Sequence, residues 1–201
     1  MGTRRISLAS LALVSVLLLA ATPVWADMFT FESIALGTRT PFSDTAGSTT
    51  AIFSSPDGDV FSTATGSVLD GRMLFDSDPD FHRLDISFNH PLNAISLRFA
   101  LNTFDVSRVF QLEAWSGASI IGSATATGAP LTPGGFPEGF LAFNSGGTTF
   151  DSVRLTATAQ DFAIDDMEVP AGGPEPIPEP GSVLLLGTGL AGLGRAWRRR
   201  Q

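Results

Sequence analysis

Apolar and polar residues alternate in short runs along the middle of this chain. In one run Leu84, Ile86 and Phe88 alternate with Asp85 and Ser87. A period of two places one side of an extended strand in a core and the other side in solvent. The other apolar runs of strand type are residues 29–31, 95–101, 110–114, 140–143, 153–157 and 162–164. No window of 12 residues shows a convincing helical stripe, so the sequence predicts an all-β body.

Turn-forming residues separate these runs, at 56–59, 89–91, 116–117, 133–135 and 145–147. Many short strands at such spacing are typical of an antiparallel sandwich or barrel. We count about ten strands, which suits a jelly roll better than a seven-stranded immunoglobulin unit. All 16 Phe lie between Phe29 and Phe162 and supply material for a core. We predict an antiparallel jelly-roll-like β-sandwich over residues 27–170.

The first 26 residues have the order of a secretory signal peptide. Arg4 and Arg5 precede an apolar stretch over residues 6–21, and small residues lead to Ala26 and Asp27. This arrangement predicts a signal helix that signal peptidase removes by cleaving between Ala26 and Asp27. The general secretion machinery is then a partner. An uncleaved membrane anchor is the alternative.

The last 31 residues contain a linker and a second apolar segment. Residues 171–177 are too rich in Pro and Gly for a packed element. Pro178-Glu179-Pro180 then precedes an apolar run of 12 residues and a basic cluster formed by Arg195, Arg198, Arg199 and Arg200. As a helix this run spans roughly 18 Å, against about 30 Å for a bilayer core. We expect a short hydrophobic helix with a transient place in the inner membrane and a cytoplasmic basic cluster.

The triplet, the short apolar helix and the terminal arginines together resemble the PEP-CTERM sorting signal, over residues 178–201. Pro178-Glu179-Pro180 is the core triplet because it adjoins the apolar run, and Pro174-Glu175-Pro176 is a second copy. The resemblance implies that exosortase processes the tail. It also implies an exported protein of the surface or extracellular matrix of a Gram-negative bacterium. The same tail is described as an ice-binding protein C-terminal region, which does not imply ice binding here.

Charge and composition exclude several functions. Residues 27–173 hold six Arg and 18 acidic residues, so the body is strongly negative and unsuited to non-specific nucleic-acid binding. The chain has no Cys, which excludes disulfides and thiolate metal sites. It has no G-x-S-x-G or H-E-x-x-H motif, and we predict no enzymatic activity. A hydrolase with paired carboxylates is a remote alternative, because such pairs form only in three dimensions.

The two ends of the body carry a second resemblance. Phe31-Glu32 near its start and Ile164-Asp165-Asp166-Met167-Glu168-Val169 at its close resemble jelly-roll domains of the MAM, laminin G and carbohydrate-binding-module type. The resemblance implies that the first and last strands lie side by side. It also implies that Glu32 can share a structural calcium ion with Asp165 or Asp166. Solvated strand ends are the alternative interpretation.

A second acidic cluster combines Asp76, Asp78 and Asp80. Their spacing copies the first three ligand positions of a helix-flanked calcium loop. The loop's glycine position holds Phe81 and its final glutamate position holds Ser87, so the full motif fails. These acids are a weaker calcium candidate, with a solvated turn as the alternative. Calcium is the only cofactor that the sequence suggests.

Trp115 is the only Trp of the body and a candidate for stacking on a sugar ring. A core or rim tryptophan is the alternative. Two functional hypotheses follow from these patterns. The first is a non-enzymatic exported surface or matrix protein. The second is a calcium-dependent carbohydrate-binding module acting in an exopolysaccharide matrix.

Overall fold

The structure, a computed structural model, describes residues 26–76 and 78–171, and all the regular elements in this part are β-strands. In chain order the strands are β1 (Ala26–Phe29), β2 (Phe42–Ala46), β3 (Thr49–Ser54), β4 (Phe61–Thr65), β5 (Arg72–Asp76), β6 (Leu84–Leu92), β7 (Ala94–Leu101), β8 (Val109–Ser116), β9 (Ser119–Thr127), β10 (Ala129–Pro130), β11 (Pro137–Asn144), β12 (Phe150–Ala157) and β13 (Phe162–Pro170).

The strands form two antiparallel sheets that face each other. The seven-stranded sheet has the order β10-β11-β7-β13-β5-β4, with β1 also paired to β13. The six-stranded sheet has the order β2-β3-β6-β12-β8-β9. Several neighbours are far apart in sequence, as jelly-roll-like folds require. The predicted all-β antiparallel sandwich is therefore confirmed.

Two strands share one edge of β13. Strand β5 pairs with Ala163 and Ile164, while β1 pairs with the stretch from Met167 to Pro170. The register of β13 against β7 shifts between Asp165 and Glu168, which marks a bulge. The predicted adjacency of the first and last strands is thus present. Asp165 and Asp166 lie in the gap between the partners on this edge.

Aromatic rings fill the space between the sheets. Phe99 of β7 stacks on Phe110 of β8 with ring centroids 4.5 Å apart. Phe110 also meets Phe162 edge-on at 5.2 Å, and Phe162 contacts Phe61 at 5.1 Å. All four side chains are fully buried. Each fully buried aromatic side chain removes a large apolar area from water, so these phenylalanines dominate the core.

The structure has thirteen strands in its described residues, where alternation indicated about ten. Several of the strands that we did not predict are short or lie at sheet edges, such as β4, and β10 is only two residues long. Strand β4 does alternate in burial, but Thr63 fills one of its buried positions, so its sequence shows little apolar alternation. Apart from Ala26, the predicted signal helix lies outside the described residues, as does the predicted C-terminal helix. The described part holds no helix that could span a membrane.

The chain divides into two units, one that ends at Ala171 and one over Gly172–Gln201. The whole second unit lies outside the described residues. The domain boundaries predicted from the sequence, including the linker at 171–177, stay predictions.

Candidate functional site

A row of side chains crosses the outer face of the six-stranded sheet. Trp115 of β8 pairs with Ser152 of β12, which also pairs with Ser87 of β6, and Ser87 pairs with Ile52 of β3. Their sequence neighbours point into the core, so strand geometry turns this row outward. Because four adjacent strands contribute, the row is a continuous surface.

A charged row lies beside it, two residues further along each strand. Arg154 of β12 pairs in register with Glu113 of β8 and Asp85 of β6. Its Nε lies 3.3 Å from Asp85 Oδ1, and its Nη1 lies 3.9 Å from Glu113 Oε2. Arg83 also donates to Asp85, at 2.9 Å. The arginine is therefore held between two carboxylates.

The two rows meet where Arg154 covers Trp115. The guanidinium carbon lies 4.7 Å from the centroid of the indole, in cation–π geometry. Trp115 is half-buried, and its Nε1 is buried without a hydrogen-bond partner among the described residues. An open cleft of about 420 Å³ runs along the tryptophan, the arginine and the serines. A flat ring beside fixed carboxylates and hydroxyls suits a polyhydroxylated ligand.

Sequence reasoning singled out Trp115 but missed Arg154, Asp85 and Glu113. All three stood on the polar side of alternating runs, and that position was the signal for an outward-facing residue. Their convergence could not be read from the runs, because it depends on which strands become neighbours.

The predicted first calcium site lies in the gap along β13. Asp165 is only 1% exposed, and its Oδ1 accepts a hydrogen bond from Asp166 N at 2.8 Å. Burial raises the pKa of Asp165 to about 7, helped by the negative charges of Asp166 and Glu32 and opposed by that hydrogen bond and by Arg98.

Two arginines contact this acidic region, and a glycine leaves room for one of its carboxylates. Glu32 Oε1 accepts from Arg72 N at 2.7 Å, and Arg72 Nη1 donates to the carbonyl oxygen of Glu32 at 2.8 Å. A Cβ at Gly71, where φ is +84°, would lie 2.1 Å from Glu32 Oε1. Arg98 lies 3.5 Å from Asp166 and 3.6 Å from Glu138. Arg98 thus lies between two carboxylates, while the backbone of Arg72 holds the carboxylate of Glu32.

Backbone strain concentrates in the same region. Within the described residues, positive φ outside glycine occurs at Phe31, Leu69 and Asp166, with values of 57°, 54° and 46°. Phe31 precedes Glu32, Asp166 follows Asp165, and Leu69 N donates to Glu138 at 3.2 Å. Such conformations cost about 1 to 3 kcal/mol each and persist where the surroundings demand them. Contacts around Phe31, Leu69 and Asp166 must therefore hold these unfavourable backbone conformations in place.

No three His, Asp or Glu side chains in residues 26–76 and 78–171 form a group that could hold a metal ion. Glu32, Asp165 and Asp166 share a neighbourhood without forming a ready cage of carboxylates. Calcium at these residues stays a prediction.

The second acidic cluster has a buried member and two exposed ones. Asp76 is fully buried and accepts from His82 Nδ1 at 3.0 Å and from Asp78 N at 3.2 Å. Burial raises the pKa of Asp76 to about 6, against the hydrogen bonds from Asp78 and His82. Burial lowers the pKa of His82, but the hydrogen bond and charge of Asp76 raise it by more. Asp78 and Asp80 are exposed. Asp76 thus pairs with His82, and calcium on Asp76, Asp78 and Asp80 stays a prediction.

The predicted cleavage site lies at the first described residues. Ala26 and Asp27 belong to β1, and Asp27 is buried. The sorting triplet Pro178-Glu179-Pro180 and the basic cluster at Arg195, Arg198, Arg199 and Arg200 lie outside the described residues.

These observations define a class: a jelly-roll-like β-sandwich with an open aromatic and charged cleft on one outer face. The chain carries a tail of known type, since residues 176–200 match the PEP-CTERM protein-sorting motif. This match confirms the interpretation of the tail and does not extend to the sandwich. The motif indicates an exported protein that exosortase anchors or processes at the membrane.

Several solved structures are similar to the chain in fold. The K2 cleaved adhesin domain of Lys-gingipain has 13% identity and a TM-score of 0.44, with 72% of this chain and 99% of that one covered. TmCBM27, a carbohydrate-binding module described for mannan recognition, has 10% identity and a TM-score of 0.38, with 72% and 97% covered.

The module CBM6cm-2 from Cellvibrio mixtus lichenase 5A, in complex with cellotriose, has 10% identity and a TM-score of 0.34, with 75% and 98% covered. No curated protein matches the sequence. At such identities and TM-scores these likenesses say nothing about what this chain binds.

Proposed function

We propose that this protein is a non-enzymatic component of the cell surface or extracellular matrix of a Gram-negative bacterium. Exosortase sorts it there through residues 178–201, after signal peptidase has removed residues 1–26. The observation that carries the proposal is the PEP-CTERM motif at residues 176–200 of a chain with a signal-type start. The strongly negative sandwich between these ends is the exported cargo.

Replacing Pro178 and Pro180 with alanine is expected to leave the tail uncut and the protein in the inner membrane. Mass spectrometry of membrane, surface and medium fractions from an exosortase-producing host measures this. The mature wild-type chain should begin at Asp27 and lack the apolar tail. The matched control carries Pro174→Ala and Pro176→Ala in the second triplet and should mature normally. Identical maturation and location for all three proteins would contradict the proposal.

A second function has support from the cleft. We propose that the sandwich binds exopolysaccharide, with Trp115 as its aromatic contact. The cleft is open, and its lining combines an indole ring, serine hydroxyls and the carboxylate of Asp85. Asp85 and Glu113 both pair with Arg154, an arrangement that suits binding better than the acid and base roles of a hydrolase.

Trp115→Ala is expected to weaken polysaccharide binding at least tenfold, because removing a tryptophan that anchors a binding surface typically costs about 2 kcal/mol or more. Electrophoresis of the mature protein through gels that contain a polysaccharide measures the loss. Phe140→Ala is the control, since Phe140 is 61% exposed and belongs to the seven-stranded sheet. Equal retardation of the two variants would exclude the cleft as the binding surface.

We also propose that a structural calcium ion binds at Glu32, Asp165 and Asp166. Support comes from the buried carboxyl group of Asp165, which lies among negative charges that a cation would offset. Its oxygens are the hard ligands that calcium prefers. The three side chains would have to turn toward one another to bind it.

A further inference from the structure

The two charged side chains that line the cleft, Asp85 and Arg154, are paired with each other, and Glu113 and Arg83 lie beside them. Arg154 lies between Asp85 and Glu113, and Arg83 donates to Asp85 at 2.9 Å. Gln111 Nε2 also donates to Glu113 Oε1, at 3.4 Å. The lining pair of Asp85 and Arg154 carries no net charge, and neither does the wider group of two arginines and two carboxylates.

This pairing decides which polymers can approach. A uronic-acid chain needs a free cation, but both guanidinium groups are engaged and a carboxylate lies on each side of Arg154. The carboxylates of the uronic-acid chain would come close to Asp85 and Glu113. The body as a whole already holds 18 acidic residues against six arginines. Like charges brought that close cost free energy, and freeing Arg154 would cost its two ion pairs.

A neutral chain meets no such barrier. Carboxylate oxygens retain lone pairs while they accept from arginine, so they can accept from sugar hydroxyls as well. Ser87 and Ser152 add hydroxyl groups along the row that ends at Trp115. The row crosses three gaps between strands, about 14 Å in all. Such a length suits a short stretch of an extended polysaccharide.

We propose that the cleft selects uncharged polysaccharides, chains of neutral hexoses, and discriminates against uronic-acid polymers. The inference rests on the proposed binding of exopolysaccharide and specifies its ligand class. Trp115, beside Arg154, supplies the aromatic contact, Asp85 accepts hydroxyls, and the charges of Asp85 and Glu113 exclude anions.

The test uses gel electrophoresis of the mature protein at low and high salt. Hydroxyethyl cellulose and galactomannan are the neutral probes, and polygalacturonate and alginate are the acidic ones. We expect retardation by at least one neutral polymer, unchanged by salt, lost in Trp115→Ala and kept in Phe140→Ala. Retardation by the acidic polymers should be at least tenfold weaker.

A double variant tests the cause of the selection. Asp85→Asn with Glu113→Gln keeps the shape of both side chains but removes their charges, which frees both arginines. We expect its affinity for polygalacturonate to rise at least tenfold and to fall again with salt, while binding of the neutral polymer weakens. Circular dichroism and melting curves establish that the variant is folded.

The possible outcomes distinguish the selection of neutral polymers from polysaccharide binding itself. Retardation of the wild type by acidic polymers alone, lost in Trp115→Ala, would overturn the selection and leave carbohydrate binding in place. Retardation by none of the four polymers would overturn both. A double variant that is folded but gains nothing for polygalacturonate would overturn the role assigned to Asp85 and Glu113.

Discussion

Asp165→Asn is expected to stabilise the protein by about 2 to 4 kcal/mol at pH 8 in calcium-free buffer. Burial raises the pKa of Asp165 to about 7, from an ordinary value of 3.8, so the ionised carboxyl group destabilises the folded state above pH 7. Asparagine has nearly the same shape and can still accept from Asp166 N, but it carries no charge. Urea unfolding of both proteins measures the difference.

The stability of the wild type should also change with pH in a direction that the raised pKa of Asp165 determines. The folded state of the wild type takes up a proton between pH 7 and about 4 that the unfolded chain does not, so stability rises as pH falls through this window. Asp165→Asn should lose that part of the slope and keep the part due to Asp76, whose pKa is raised to about 6. Asp70→Asn, an exposed control on the neighbouring loop, should change stability by less than about 0.5 kcal/mol.

The same variant tests the calcium proposal. A bound cation would offset the charge of Asp165, so millimolar calcium should raise the melting temperature of the wild type and leave Asp165→Asn unchanged. Equal melting temperatures of the wild type in calcium and in EGTA would contradict the metal site while leaving the pH prediction intact. If Asp165→Asn were less stable at pH 8 without calcium, the assigned effect of burial would be wrong.

Asp27→Ala is expected to destabilise the protein by about 3 kcal/mol or more. Asp27 Oδ2 accepts from the backbone N–H groups of Ser48 and Thr49 at 3.1 and 3.0 Å. It also accepts from the two hydroxyls, with Thr49 Oγ1 at 2.7 Å. Alanine would leave buried donors of the β2–β3 turn without a partner. Thermal and urea unfolding at pH 7 measure the loss.

The hydrogen bonds from Ser48 and Thr49 to Asp27 form an anchor between β1 and the β2–β3 turn. The stability that this anchor contributes falls as pH falls, whereas the effect of Asp165 on stability has the opposite sign. Burial raises the pKa of Asp27, but the hydrogen bonds from Thr49 and Ser48 lower it by more, to below 3.8. Its contribution is therefore present above pH 3.8 and lost as pH falls through the folded pKa. Glu168→Ala is the control, because Glu168 is exposed on β13 opposite Met28. Losses of equal size in Asp27→Ala and Glu168→Ala would show that the hydrogen bonds of Asp27 contribute little.

Gly47 shows how closely the turn fits this carboxylate. A Cβ at Gly47, where φ is +54°, would lie 2.0 Å from Asp27 Oδ1. The predicted signal-peptide cleavage makes Asp27 the first residue of the mature chain. The anchor is kept only if cleavage occurs no later than the bond between Ala26 and Asp27.

Much of the fold was predictable because its cause is local. Leu84, Ile86 and Phe88 are buried as their alternation indicated, since successive side chains of a strand always point to opposite faces. The tail was predictable for a similar reason. A sorting signal consists of a triplet, an apolar run and a basic cluster in a fixed linear order, and the amino-acid sequence shows that order directly.

The candidate site depended on long-range pairing. Arg154 lies 69 residues from Asp85 in sequence, yet adjacent strands bring them to 3.3 Å. Asp27 reaches Thr49 across the sandwich edge in the same way. Alternation by itself determined which residues face outward and that the body is an all-β sandwich. Only the order and register of the strands decided which outward residues meet, because backbone pairing between distant segments leaves no local pattern.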